Sequence, residues 1–227
     1  DTQAEHQRGP TRSSRALALV HLAMHDAFFA VNGVATIPGP PGPPKQLYLL
    51  SAPGWTGGNS TVIRSAAVSG AAATALCTLY SGMRALIEGK LAEISGANGT
   101  DDAAFSFGRQ IAWAVFAARS NDDVTPLDSD YSSSPGALRH RVDPYHTDQG
   151  YLGVAYGQTP AFAVTTFHTQ AAPPAPTSTI YQNDFDEVRA AGGAPELRTT
   201  TRTPDQTLIG LYWAYDGAMK IGTPPRL

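Results

Sequence analysis

Residues 11–33 read TRSSRALALVHLAMHDAFFAVNG and form the first strong helical pattern of the chain. Large apolar residues recur in it at helical spacing with alanines between them: Leu17, Val20, Met24 and Phe28. Thr11 or Ser13 is expected to cap the helix, and Gly33 to end it. Because the apolar surface extends most of the way round, we expect a helix buried among other elements.

Further helices are predicted on both sides of the middle of the chain. Residues 60–80 form an Ala-rich apolar run, and residues 83–94 follow the break at Ser81-Gly82. Asp101 and Asp102 suit the start of a helix that extends to Arg119, because carboxylates favour helix N-termini. Its apolar face is expected to contain Phe105, Ala112, Trp113 and Phe116. Two shorter helices are predicted at residues 184–191 and 204–215, the latter starting at Thr203-Pro204 before Gln206.

Two long segments lack helical periodicity, residues 34–59 and 121–183. The first contains the run PGPPGPP at residues 38–44, which is typical of an extended loop. Strand patterns are sparse throughout. We therefore predict a mainly α fold, a helix-bundle scaffold with long ordered Pro/Gly-rich loops, in which residues 1–227 form a single domain.

Composition excludes several classes of function. Charged residues make up 15% of the chain and the net charge is −3, so no basic stripe is present to bind nucleic acid or an anionic membrane surface. The apolar stretch 65–79 is too short to span a bilayer and is predicted to be a buried helix. Cys77 is the only cysteine, which excludes an internal disulfide and favours a small buried side chain.

The cellular location stays unassigned. The triplets at Asn59 and Asn98 match the N-glycosylation pattern and, with the single cysteine, are compatible with secretion. The chain does not begin with Met and shows no signal peptide. We expect either that a leader has been removed or that an upstream segment is missing.

The most regular pair of candidate ligands is His21 and His25, which lie four residues apart on one helix face. Two such histidines bind zinc in some proteases, but the glutamate of that motif is absent here and no third ligand is nearby. The alternative is that both imidazoles and Asp26 satisfy one another or nearby backbone groups. That alternative is favoured.

Other polar clusters have simple structural explanations. His140, His146 and Asp143, among Arg139, Arg141 and Tyr145, form a possible polar site, but side-chain-to-backbone bonds within the loop are the favoured interpretation. Ser13-Ser14 and the serine run 132–134 lack a nucleophile-elbow pattern. Two further groups are predicted to be structural. The acidic residues Asp184, Asp186 and Glu187 are attributed to a helix start, and the aromatic residues Tyr212, Trp213 and Tyr215 to a core.

Several stretches, in order along nearly the whole chain, together resemble one family. They are residues 9–27, 142–145, 150–153, 156–157, 160–162, 184–189, 202–207, 213–217 and 221–227. Residues 9–27, GPTRSSRALALVHLAMHDA, resemble the early helix of vanadium-dependent haloperoxidases, especially the red-algal bromoperoxidases and their bacterial relatives. The most specific similarity is DFDEVR, RTPDQT and WAYDG in the last fifth of the chain.

The resemblance implies a mainly α-helical protein related to the type-2 phosphatidic acid phosphatase superfamily. It implies vanadate as the cofactor, bound through one histidine and surrounded by cationic side chains, which balance the charge of an oxyanion. Complete enzymes of the family oxidise bromide or chloride with hydrogen peroxide and halogenate organic substrates. A homo-oligomer is also implied.

The sequence departs from the family where the chemistry is carried out. It contains no Pro-Ser-Gly-His stretch, no Lys followed by Arg-Pro, and no final Arg and His motif. Lys220, near Arg226, does not match. No catalytic, cofactor-binding or metal-ligating residue is therefore assigned. We expect the chain to be the N-terminal part of a haloperoxidase whose C-terminal catalytic half lies on the same or a companion chain.

Three other interpretations stay open. The chain could be a non-catalytic structural or binding protein built on the same scaffold, which vanadate would not affect. It could be a metalloenzyme that uses His21 and His25, in which case one zinc per chain is expected. A phosphatase activity is a variant of the haloperoxidase interpretation, and it would need the same absent residues.

Overall fold

The computed structural model describes residues 7, 9–33, 47–49, 52–122, 131–136, 138–141, 147, 151, 153–162, 170–193 and 199–213. Within these ranges the chain forms six α-helices and no strand, which confirms the mainly α prediction. The helices are α1 (Pro10–Val31), α2 (Thr61–Leu79), α3 (Arg84–Asn98), α4 (Asp102–Ala118), α5 (Thr179–Gly192) and α6 (Pro204–Trp213). Short 3₁₀ turns occupy Ser81–Met83 and Tyr156–Gln158.

The chain divides into two compact units, a first unit Asp1–Ala163 and a second unit Val164–Leu227. The described parts of the predicted loop 34–59 are not helical. The predicted loop 121–183 includes the turn Tyr156–Gln158, and α5 begins inside it at Thr179. That residues 1–227 form a single domain stays a prediction.

Local sequence explains where most helices begin. Asp101 caps α4, and its carboxylate accepts a bond of 2.8 Å from the backbone N–H of Ala104, as predicted. Thr203 and Gln206 form a reciprocal capping box at the start of α6, with bonds of 2.9 and 3.2 Å. The cap predicted for α1 was wrong. The helix begins at Pro10 after Gly9, because Gly9 adopts φ 96° and proline suits the first helical position.

The core of the first unit is formed by α1, α2 and α4, which pack against one another, while α3 packs against α2. Small residues make this packing close. A Cβ atom added to Gly70 would overlap the carbonyl group of Phe105, and one added to Gly108 would overlap that of Ala67. The helices α2 and α4 therefore touch backbone to backbone, which maximises dispersion contacts.

The buried face of α1 consists of its small residues together with a few branched ones, and not of its largest side chains. Ala16, Leu19, Val20, Ala23, Ala27 and Val31 are buried. Leu17 is 59% exposed and Phe28 is 36% exposed, so α1 is buried among other elements on one face, and the prediction is wrong for the face that carries these two side chains. In α4, Trp113 is 52% exposed and does not join the predicted apolar core face, whereas Ala112 does.

Among the described helices, Thr61–Leu79 is the one whose length and composition would allow it to cross a membrane. Core helices pass the same test, and this helix buries Ala67, Ala71 and Ala75 in the first unit. The prediction of a buried helix is confirmed for that face. Cys77 lies on the same helix as a free, partly buried thiol.

The second unit differs from the first because neither α5 nor α6 has a buried residue. Ser178 caps α5, so Asp184, Asp186 and Glu187 lie in the middle of the helix, and the attribution to a helix start was wrong. Tyr212 and Trp213 are 44% and 68% exposed, so their assignment to a core was also wrong. Tyr215 lies outside the described residues.

Candidate functional site

The polar groups buried in the first unit centre on Asp26 in the middle of α1. Its side chain is fully buried, and its two carboxylate oxygens accept bonds of 2.8 Å from the backbone N–H groups of Tyr48 and Leu49. The Nδ1 atom of His25 lies 2.8 Å from Asp26 Oδ1. Asp26 therefore holds the segment 47–49 on α1 through charge-assisted hydrogen bonds, which are stronger than those between neutral groups.

A second buried carboxylate joins the start of α1 to the end of α4. Asp122 Oδ2 lies 2.9 Å from Arg119 Nε and 3.0 Å from Arg15 Nη2. The side chains of Arg119 and Asp122 are 5% and 2% exposed, and that of Arg15 is 15% exposed. One carboxylate is thus shared by two guanidinium groups at a site with little access to water.

Arg119 also holds the segment 160–162. Its Nη2 atom donates to the carbonyl of Pro160 at 2.6 Å, and its Nη1 atom donates to that of Ala161 at 3.3 Å. The guanidinium carbon lies 3.9 Å from the centre of the Phe162 ring, a cation–π contact. Nη1 also lies 3.4 Å from the hydroxyl of Tyr48, so this arginine reaches the segment that Asp26 fastens.

These contacts form what we call the buried polar network, which consists of Arg15, Asp26, Tyr48, Arg119 and Asp122. Its carboxylates are occupied by backbone N–H groups and guanidinium groups, and its arginines by carboxylate and carbonyl oxygens. A network with its donors and acceptors so occupied rigidifies a core. The arrangement is chemically suited to fixing two loop segments on the helices.

A cavity of about 290 Å³ lies beside this network in the first unit. The start of α1 lines one side of it, through Thr11, Ser14 and Arg15, and residues 156–162 line the other. The hydroxyl oxygen of Thr159 is buried without a hydrogen-bond partner. Among the described residues that line it, the cation is Arg15, which shares the carboxylate of Asp122 with Arg119.

His21 and His25 are not brought into a metal site by the described residues. His25 is held by Asp26, and its ring centre lies 4.4 Å from that of Phe29, while His21 is exposed. In the part of the chain that the structure describes, no group of three or more His, Cys, Asp or Glu side chains is placed to hold a metal ion. The predicted bonding to one another and to backbone groups is confirmed for Asp26 and His25, but no bond of this kind is described for the exposed His21.

The other predicted cluster, around residue 140, is only partly described. Arg141 donates to the carbonyl oxygens of Ser134 and Gly136, at 3.4 and 2.9 Å, so the loop is held by side-chain-to-backbone bonds as predicted. His140 packs edge-on against Tyr151, with ring centres 5.0 Å apart. Asp143, Tyr145 and His146 lie outside the described residues.

The remaining serine and acidic candidates also have structural partners or exposed positions. Ser13 and Ser14 donate to the backbone oxygens of Gln7 and Thr11, at 2.8 and 2.9 Å. Asp184, Asp186 and Glu187 are exposed on α5. None of them forms a described arrangement of nucleophile and base.

Vanadate, which the resemblance implies, would need several cationic donors facing one cavity. Among the described residues, the guanidinium groups of Arg15 and Arg119 both contact Asp122 instead. On the surface, Arg84 and Lys90 pair with Glu88 and Glu93. These four cations therefore do not form a site for an oxyanion of this kind, and no chemical step is derived through it.

Sequence reasoning missed the buried polar network. The signal for Asp26 was present, because it occupies the stripe of Ala16, Leu19, Ala23 and Ala27 that becomes the buried face. A carboxylate in such a stripe must find partners. Arg119 and Asp122 gave no comparable signal, since their partners lie up to 107 residues away in sequence.

Comparison with known proteins agrees with the earlier resemblance. Residues 1–149 match the family described as the vanadium chloroperoxidase N-terminal domain. The chain is 31% identical over 261 aligned residues to a vanadium chloroperoxidase of Curvularia inaequalis, and the alignment covers 96% of this chain. It spans 42% of the length of that relative. The chain therefore belongs to the vanadium haloperoxidase family, and its first two thirds match that family's N-terminal domain.

Proposed function

We propose that the chain is the N-terminal scaffold half of a vanadate-dependent haloperoxidase that oxidises halide with hydrogen peroxide to halogenate organic substrates. The observation that carries the proposal is the extent of the similarity, which covers nearly all of this chain but 42% of the relative. The sequence contains none of the vanadate-binding motifs that the family resemblance implies. The catalytic residues and the vanadate are therefore assigned to a polypeptide beyond the present sequence.

The role of this half follows from the buried polar network. Asp26 and Arg119 fix the segments 47–49 and 160–162 on a three-helix core that has little freedom to deform. Catalytic groups must be held within a fraction of an ångström of their productive positions by a rigid surround. We propose that the first unit supplies part of that surround.

The test is an activity assay of the purified chain with vanadate, hydrogen peroxide, a phenolic dye as halogen acceptor, and either bromide or chloride. We expect no turnover above buffer for the chain alone. We expect turnover when the chain is co-expressed with the part of the Curvularia enzyme outside the match, and none for that part alone. Turnover by the isolated chain would overturn the proposal.

The halide, the oligomeric state and the red-algal bromoperoxidase character belong to the same proposal. The assay with both halides determines the first, and light scattering of the complex determines the second, for which we propose a homo-oligomer. The alternative is a non-catalytic binding or structural protein, favoured by the self-contained core of α1, α2 and α4. That alternative predicts a folded chain whose complex is inactive and whose stability vanadate leaves unchanged.

A further inference from the structure

The helices of the second unit expose large apolar side chains that no described residue covers. On α5 these are Ile180, Phe185 and Val188, which are 64%, 48% and 70% exposed. On α6 the exposed fractions lie between 44% and 68%, and the residues are Leu208, Ile209, Leu211, Tyr212 and Trp213. We call these two sets the α5 face and the α6 face. Scattered apolar residues on a surface are ordinary, but runs on both helices of one unit indicate a binding surface.

The α5 face occupies one side of its helix. At 100° per residue, Ile180, Val188 and Phe185 fall within one arc, which also contains the exposed carboxylate of Asp184. Asp186 lies on the opposite side of the helix. An amphipathic helix of this kind owes most of its stability to burial of its apolar side.

The α6 face extends further round its helix. Leu208, Ile209, Leu211, Tyr212 and Trp213 occupy more than half of the circumference, and all five are 44% to 68% exposed. A helix that is apolar over most of its circumference is normally enclosed by several elements.

The wide apolar arc of α6 indicates which kind of partner could cover it. A symmetric dimer uses one self-complementary patch on each copy, which would cover one side of a helix. That contact would leave much of the α6 face in water. A set of helices from another segment can enclose α6 on several sides. More than half of the length of the Curvularia relative lies outside its match to this chain, which is ample for such a segment.

We propose that the α5 face and the α6 face are the docking surface for the part of the haloperoxidase polypeptide outside the matched region, through apolar helices that enclose α6. This inference rests on the proposed function, because it takes the chain to be one half of that enzyme. It adds which residues carry the contact between the halves. It also assigns the contact to the second unit, whereas the core of the first unit is already filled by its own helices.

The experiment co-expresses the tagged chain with the part of Curvularia chloroperoxidase outside the match. We expect the two polypeptides to purify together, and we expect amide hydrogen exchange in residues 179–192 and 204–213 to slow at least tenfold relative to the chain alone. Val188→Asp and Ile209→Asp should each weaken the complex at least tenfold. Both side chains are exposed, so the circular dichroism of the free variants should match that of the unmodified chain.

The matched control is Leu86→Asp on α3, a residue that is 56% exposed in the first unit, and it should leave the complex unchanged. Absence of a complex, or a complex indifferent to both substitutions, overturns the docking surface. A homodimer that Val188→Asp dissociates overturns it in favour of a second copy. Halogenation that survives both substitutions supports the proposed function without this surface. A complex that needs both side chains but does not halogenate supports the surface without that function.

Discussion

At the scale of single residues, the stability of the first unit depends on two buried carboxylates, those of Asp26 and Asp122. Asp26 is fully buried and supplies acceptors to two backbone N–H groups. An unpaired buried N–H costs about 1–3 kcal/mol, and bonds to a charged acceptor contribute about 1.5–3 kcal/mol each. The stability of the first unit should therefore be sensitive to changes at this position.

We predict that Asp26→Asn lowers the free energy of unfolding by about 2–3 kcal/mol. The amide keeps the volume of the side chain but turns one acceptor into a donor that faces an N–H group. Urea unfolding followed by circular dichroism measures the change. Glu88→Gln is the control, because Glu88 lies on an exposed part of α3 and should change stability by less than about 0.5 kcal/mol. Equal effects of the two substitutions would refute the structural role of Asp26.

Asp122 gives a second prediction at the same scale. Asp122→Ala leaves the guanidinium groups of Arg15 and Arg119 without their shared counter-charge. Removing one partner of a buried ion pair typically costs about 3–5 kcal/mol, and we expect a loss of about 3 kcal/mol. The exposed pair Lys90–Glu93 provides the matched comparison, and Glu93→Ala should cost less than about 0.5 kcal/mol. If the urea-unfolding midpoint of the Asp122→Ala variant were within error of that of the unmodified chain, an important role for the ion pairs of Asp122 would be excluded.

At the scale of elements, the close crossing of α2 and α4 depends on glycine. Gly108→Ala should destabilise the first unit by about 1–3 kcal/mol, because the added methyl group overlaps the backbone of Ala67 and the two helices must separate. Gly89→Ala in α3 meets nothing within 4 Å and should stabilise the chain by about 0.5–1 kcal/mol through helix propensity. Thermal unfolding of the Gly108→Ala and Gly89→Ala variants measures both changes in stability. Shifts of the same sign would contradict the packing of α2 on α4.

The helices were largely predictable from sequence, whereas their buried faces were not. Periodicity located all six described helices because this signal is local, although the cap predicted for α1 was wrong and α5 begins before the predicted residue 184. Which side of α1 is buried depends on how closely its neighbours approach, and the alanines allow an approach that Leu17 and Phe28 would prevent. The buried polar network joins Arg15 to Asp122 and Asp26 to Leu49, pairs separated by 107 and 23 residues, and one sequence carries no local signal for which residues become their partners.

At the scale of the whole molecule, burial is distributed unequally between the two units. Every buried hydrophobic residue in the described ranges belongs to the first unit, whereas the second unit has amphipathic helices with none. Hydrophobic burial supplies most of the free energy that opposes chain entropy. The first unit therefore has the means to fold by itself, and the second requires additional contacts.

We predict that a chain truncated to residues 1–163 keeps a cooperative thermal transition within about 4 °C of the full chain, since about 1 kcal/mol shifts a domain of this size by roughly that much. Residues 164–227 alone should show little helical circular dichroism, because α5 and α6 have no buried residue to stabilise them. In the full chain and in the chain of residues 1–163, the thermal transition should reflect unfolding of the same core, formed by α1, α2 and α4. If the truncated chain lost its transition, or if residues 164–227 folded cooperatively alone, the stabilising contacts would have to lie elsewhere. The second result would also remove the physical reason for a docking surface on α5 and α6, because a self-sufficient second unit would not need the other half of the enzyme.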